Sequence, residues 1–176
     1  MIGEDLLLNS ETIRDHRHQP NPIRLDAADL VILRELSEDA RTPNILLASR
    51  TGLAQSTCLN RVRALREAGI IRGFHAEINL SSLGLDVGAM IYINVHAQAR
   101  KNMLELARGL RNLPETLDVF VLGGKHDLLL HVACASTGDL RDFVATHLGS
   151  NQSFANTQTT LIFEHLQPVS PVRRPE

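Results

Sequence analysis

The chain has 176 residues, 43% of them hydrophobic, with a formal net charge of -2, which allows one large domain or two small ones with modest cores. Cys58 and Cys134 lie far apart in the sequence, which argues against a disulfide framework and fits a reducing compartment. The apolar run Leu6–Leu8 is too short for a signal peptide, and no window approaches the ~18 apolar residues of a membrane span. Charge is unevenly spread: residues 41–72 hold Arg41, Arg50, Arg61, Arg63, Arg66 and Arg72 against one acid, Glu67. A basic block in a slightly acidic chain points to an anionic partner at one place.

Residues 1–24 read as a flexible polar tail, with at most a short helix around Leu6–Ile13, and Pro20 and Pro22 close it. A first helix is predicted from Asp26, which can cap it, with Asp29 in the acidic first turn. Leu30, Val31, Leu33 and Leu36 form its expected apolar face. Thr42-Pro43 signals a second helix, with Thr42 as cap and Pro43 in the first position. That helix is expected to turn Ile45, Leu46, Leu47 and Ala48 inward and to stop at Gly52. A third helix carries Cys58, Val62 and Leu65 at spacings of four and three, and ends at Gly69.

The period then changes. Phe74, Ala76, Ile78 and Leu80 alternate as in a strand, and Ser81, Ser82 and Gly84 break it. Beyond the break the signals are a strand over 87–97, a helix over 103–113 and strands over 117–122 and 128–135. A helix over 140–148, opened by the cap-like Ser136-Thr137-Gly138-Asp139, and a strand over 159–166 complete the series. This β-α-β-β-α-β order is the ferredoxin-like arrangement. Two helices would cover one sheet face. The other would carry Tyr92, Leu129 and Ala133 uncovered, which suggests self-association. The expected organisation is a tail (1–24), a helix-turn-helix domain (25–73), a linking strand and hinge (74–84), an α+β domain (85–166) and a flexible tail (167–176).

Helix, tight turn and helix over 42–68 form a unit that can place its last helix in the DNA major groove. Cys58, Val62 and Leu65 face inward. Ser56, Asn60 and Arg63 then face outward, flanked by Gln55, Thr57 and Arg61; with Thr42 at the start of the second helix these are the expected DNA-contacting residues. Gln and Asn suit adenine, and Arg suits guanine or phosphate. In the second half, Gly123-Gly124-Lys125-His126-Asp127 lies between two strands. It reads either as a tight hairpin with an Asp cap or as a small-molecule site. In the second case glycine N–H groups would meet a carboxylate and Asp127 an ammonium. His96, His126, His131 and His165 show no metal-ligand spacing, so no metal or other cofactor is expected. No nucleophile or acid/base set stands out, so a small ferredoxin-like enzyme is the weaker reading.

Leu25-Asp26, Asp29, Ile32-Leu33, Leu36 and Asp39-Ala40-Arg41, followed by Gly52-Leu53, Arg61-Val62, Leu65 and Gly69-Ile70-Ile71-Arg72-Gly73-Phe74, resemble the Lrp/AsnC regulators of bacteria and archaea. Leu122–Leu130 resembles that family's strand, glycine loop, Asp and strand, and Thr157–Phe163 its last strand. The resemblance spans about residues 25–166. It departs at Ala54, where members usually place a capping Ser. It implies a winged helix-turn-helix, a ferredoxin-like domain and assembly into dimers and then tetramers or octamers. It implies double-stranded DNA as partner, a cytoplasmic, nucleoid-associated location, and an amino-acid effector bound beside the glycine loop between neighbouring dimers. Thr157 and Thr159 would contribute hydroxyls there by the same resemblance. An architectural protein that wraps DNA with little sequence preference is the rival within DNA binding.

Overall fold

The computed structural model describes residues 24–166, so the expectations for the two tails, apart from Arg24, lie outside the described residues. These residues fall into two compact units that divide between Ala76 and Glu77. In the first, α1 spans Ala27–Glu38, α2 Asn44–Thr51 and α3 Gln55–Glu67. α1 opens on a reciprocal cap. Asp26 Oδ1 accepts from Asp29 N at 3.0 Å, and Asp29 Oδ2 accepts from Asp26 N at 3.1 Å. Two orphan N–H groups are thereby satisfied.

The centre of α1 differs from the expectation. Ile32 is fully buried, whereas Leu30 and Val31 are only half-buried. Asp29 and Glu35, three residues to either side of Ile32, are buried with it. Apolar periodicity alone would turn these acids outward. Here they face inward because arginines of the other two helices meet them.

α2 also starts later than expected. Thr42 does not cap it; its Oγ1 donates to Asp39 O at 2.8 Å. Pro43 takes the cap position, and its carbonyl accepts from Leu46 N and Leu47 N. The shift leaves Leu47 and Ala48 buried, while Ile45 and Leu46 are 59% and 46% exposed. Gly52 ends α2 at φ 70°, a left-handed conformation that costs glycine little. Ile32, Leu47, Ala48, Cys58 and Leu65 form the core, with Leu53 and Val62 packed against it. Burial pushes the Cys58 thiol up, so it stays protonated, as suits a core residue.

The expected strand over 74–80 is not formed. Residues 73–79 have no regular structure, with Phe74 and Ile78 about half exposed, and Leu80 opens a 3-10 turn, Leu80–Leu83, capped by Asn79. Alternation makes a strand only where a second strand accepts the ladder, and no described segment of the chain does so here.

The second unit holds β1 (Val87–Val95), α4 (Met103–Arg111), β2 (Thr116–Val121), β3 (Leu128–Cys134), α5 (Thr137–Phe143) and β4 (Phe154–Ile162). The strand order β2-β3-β1-β4, antiparallel throughout, is that of a ferredoxin-like sheet. α5 is capped by Ser136 and runs on into a π turn, Val144–Gly149. Ala89, Ile91, Ile93 and Val95 of β1 and Leu128, Leu130 and Val132 of β3 share one face. They pack with Ala107 and Leu110 of α4 and Leu140 and Phe143 of α5. The opposite face carries Met90, Tyr92, Leu129 and His131, all half-buried, and Phe120, 46% exposed. Ala133 belongs to that face but is buried. The last strand lies five residues earlier at its start than its apolar run suggested. Phe154 is buried opposite Val95, whereas Phe163 is 97% exposed beyond the strand's end.

Candidate nucleic-acid interface and effector loop

α3 presents Gln55, Ser56, Thr57, Asn60 and Arg63 to solvent, five of the six residues expected on or beside the outward face. Gly52 sets its angle to α2, and Asn44 Nδ2 donates to Gln55 O at 2.9 Å, tying the starts of the two helices together. Ala54 occupies the N-cap position with extended backbone and no side-chain cap bond. Ala54→Ser should therefore raise stability by about 1 kcal/mol. Thermal denaturation checks this, and an unchanged or lowered melting temperature would mean that the helix start is already satisfied otherwise.

Arg61 is placed differently from the expectation. Its Nη1 lies 2.6 Å from Asp26 Oδ2 and 3.0 Å from Asp29 Oδ1, so it joins α3 to the first turn of α1. The Asp29 N–H, and then Arg61, hold the Asp26 carboxyl below the ordinary aspartate value. Asp26 and Asp29 in turn push the Arg61 guanidinium higher still. Arg50 of α2 likewise pairs with buried Glu35 of α1. Arg66 lies over the Phe74 ring, 5.8 Å from its centroid. Two of the six arginines of the basic block are thus matched by acids that lie outside residues 41–72. Thr42, spent on Asp39, stands at the loop before α2 rather than at a helix start.

In the second unit the 123–127 loop joins β2 to β3. Gly123, Gly124 and Lys125 are exposed. Gly124 has φ 155°, and a Cβ added at either glycine would meet no atom within 4 Å. Asp127 is fixed on three sides. Its N–H donates to Ile93 O at 3.0 Å, its carbonyl accepts from Leu122 N at 2.8 Å, and its Oδ2 accepts from Val95 N at 2.8 Å. Arg100 Nη2 reaches the same Oδ2 at 3.3 Å. The His126 ring packs against Tyr92, tilted by 42° with centroids 5.0 Å apart, and its Nδ1 lies 3.1 Å from Asn94 Oδ1. Thr157 and Thr159 lie on β4 opposite Ile93 and Ile91, so β1 stands between them and the loop within one chain.

Val95, Arg100 and Asn94 carry no signal in the sequence, because nothing in local spacing ties residues about 30 positions away to the loop. A separate groove of about 410 Å³ lies between α4 and His147, and none of the expected site residues lines it.

Residues 25–72 match the winged helix-turn-helix DNA-binding family, and residues 88–171 match the Lrp/AsnC ligand binding domain. The transcriptional regulator AldR of Mycolicibacterium smegmatis is 45% identical, covering 84% of this chain and 86% of its own. The chain belongs to the Lrp/AsnC family. The leucine-responsive regulatory protein of Rhizobium meliloti, 33% identical over 85% of this chain and 96% of its own, is a further relative. Among solved structures, a regulator of Neisseria meningitidis in complex with L-methionine superposes with a TM-score of 0.75. It is 28% identical, covering 85% of this chain and 96% of that one. The family membership agrees with both units: a three-helix DNA-binding unit, and an α+β unit with a four-stranded antiparallel sheet. No described helix is long and apolar enough to cross a membrane.

Proposed function

We propose that the protein is a sequence-specific, cytoplasmic transcription regulator that presents α3 to the major groove and changes its assembly when an amino acid binds beside the 123–127 loop. The observation that carries the DNA side is the solvent-facing set Gln55, Ser56, Thr57, Asn60 and Arg63 on a helix whose opposite face is locked into the core. Amides and a guanidinium on one helix face are the groups that read base edges. The effector side rests on the ligand-binding family match and on the L-methionine complex of the Neisseria relative.

Duplexes selected from a random pool, then titrated in the presence of mixed competitor DNA, test the reading. Arg63→Ala should weaken binding to the selected sequence by about 1–3 kcal/mol, because no described ion pair engages Arg63. Failure of any sequence to enrich would favour an architectural role. One α3 buries too little for operator affinity, so two copies must act together. The sheet face bearing Tyr92, Leu129 and Phe120 is the proposed surface for that pairing. Light scattering at micromolar concentration should show a dimer or a larger assembly, and a monomer would contradict the proposal.

A further inference from the structure

We propose that His131 and His165 are one half of a zinc site, which closes when two copies of the chain pair through the open sheet face and each contributes the same two imidazoles. The site rests on the reading of that face as the pairing surface.

Three side chains meet on the face. His131 of β3 lies opposite Asp118 of β2, with its Nδ1 3.3 Å from Asp118 Oδ2. An ionised carboxylate only accepts, so Nδ1 carries the hydrogen and donates it. The lone pair of the neutral ring then sits on Nε2, the nitrogen that a metal takes. A carboxylate on the far nitrogen is the ordinary setting of a metal-ligating histidine, because it fixes the tautomer and ring orientation and raises the basicity of the ligating nitrogen. The chain returns to this place after β4. His165 is exposed, and its ring stands edge-on to that of His131, at 81° with centroids 6.4 Å apart.

That spacing is close to what one ion requires. Zinc lies about 2.0–2.1 Å from a ligating ring nitrogen, hence about 3.2 Å from the ring centre, so two imidazoles on a tetrahedral ion have centres about 5.2 Å apart. A shift of about 1 Å in the exposed His165 side chain closes the difference. One chain cannot complete the site: among the described residues no group of three or more His, Cys, Asp or Glu side chains is placed to hold a metal ion. A closed zinc site takes four ligands. Pairing through a shared face is two-fold, so residues near the axis meet their own counterparts, and the second copy supplies the missing pair. Imidazole suits zinc, whereas magnesium and calcium take oxygen ligands.

The test is calorimetric titration of zinc chloride into the tag-free, metal-free full chain, with mass followed by light scattering. Wild type should take one ion per two chains, and zinc should hold the pair together at lower protein concentration, while magnesium chloride does neither. Asp118→Ala should weaken zinc by about 10- to 100-fold, as expected for the loss of an orienting carboxylate, and Asp118→Asn should recover part of that loss. His131→Ala and His165→Ala should each weaken zinc more than Asp118→Ala does. His75→Ala, in the other unit, should bind as wild type. All four positions should keep the metal-free melting temperature of wild type, which separates ligation from a folding defect. Wild-type zinc affinity in either His131→Ala or His165→Ala, or one ion per chain, would overturn the shared site. A metal-free chain that pairs yet binds no zinc would overturn the site and leave the pairing reading intact. A chain that stays monomeric with and without zinc would remove the pairing reading and this site with it.

Discussion

Arg61→Ala should lower the melting temperature of the helix-turn-helix unit by about 5 °C or more and weaken DNA binding through a misplaced α3. Asp29 is 6% exposed, and Arg61 meets its Oδ1 from a helix two elements away. Removing one partner of such a pair strands a carboxylate away from water, which is more damaging than never having had the pair. The same substitution removes the second of the two partners that depress the Asp26 carboxyl and leaves the Asp29 N–H in place, so the acid limb of stability should change in part as well. Because the folded-state Asp26 carboxyl is depressed, its contribution is complete above the ordinary aspartate value. That contribution is lost as pH falls through the lower folded-state value, and Arg61→Ala should flatten this part of the profile. Arg63→Ala is the control: it should weaken DNA binding with no change in melting. Equal melting temperatures for Arg61→Ala and wild type would show that the clamp does not hold α3.

Asp127→Ala should destabilise the second unit and abolish the amino-acid response together. The alanine removes the acceptor of Val95 N–H, and an unpaired, partly buried donor costs about 1–3 kcal/mol. The response of this variant alone therefore cannot separate binding from folding. Asp127→Asn keeps an oxygen for Val95 N–H and loses the charge. It should melt close to wild type yet bind the amino acid about 10- to 100-fold more weakly, as expected for a lost charge-assisted bond. An amino-acid response of wild-type potency in Asp127→Asn would place the effector elsewhere. Gly123→Val is a gentler probe, because a Cβ there meets nothing within the chain. Any effect it has reports on what approaches the loop from outside.

Much of this was readable from the chain alone. Cys58, Val62 and Leu65 fixed the buried side of α3, and the exposed side followed by elimination. Gly52 ended α2 because its left-handed turn is cheap for that residue. What could not be read depended on partners distant in sequence. Ile32 sits at the core between two acids whose partners, Arg50 and Arg61, lie one and two helices away. Arg61 fell on a flank in the helical wheel, and only the position of α1 decides which way a flank residue turns. β4 was misplaced because its polar run, Asn156 to Thr160, belongs to an edge strand with one neighbour. Its register was set by Phe154 rather than by Leu161 to Leu166. The phenylalanine at 74 alternated correctly for a strand, but alternation cannot supply the second strand.

The acids of α1 also bear on how tightly DNA can be held as ionic strength rises. A protein gains affinity for duplex DNA largely by displacing condensed counter-ions, one for each phosphate it neutralises, and log K falls by about 0.9 per phosphate for each decade of salt. Arg50 and Arg61 already neutralise carboxylates inside the fold, so neither is free to displace a cation from the duplex. The affinity of this regulator should then lean on base contacts more than its arginine count suggests, and its operator complexes should tolerate salt better than a basic block of six would predict.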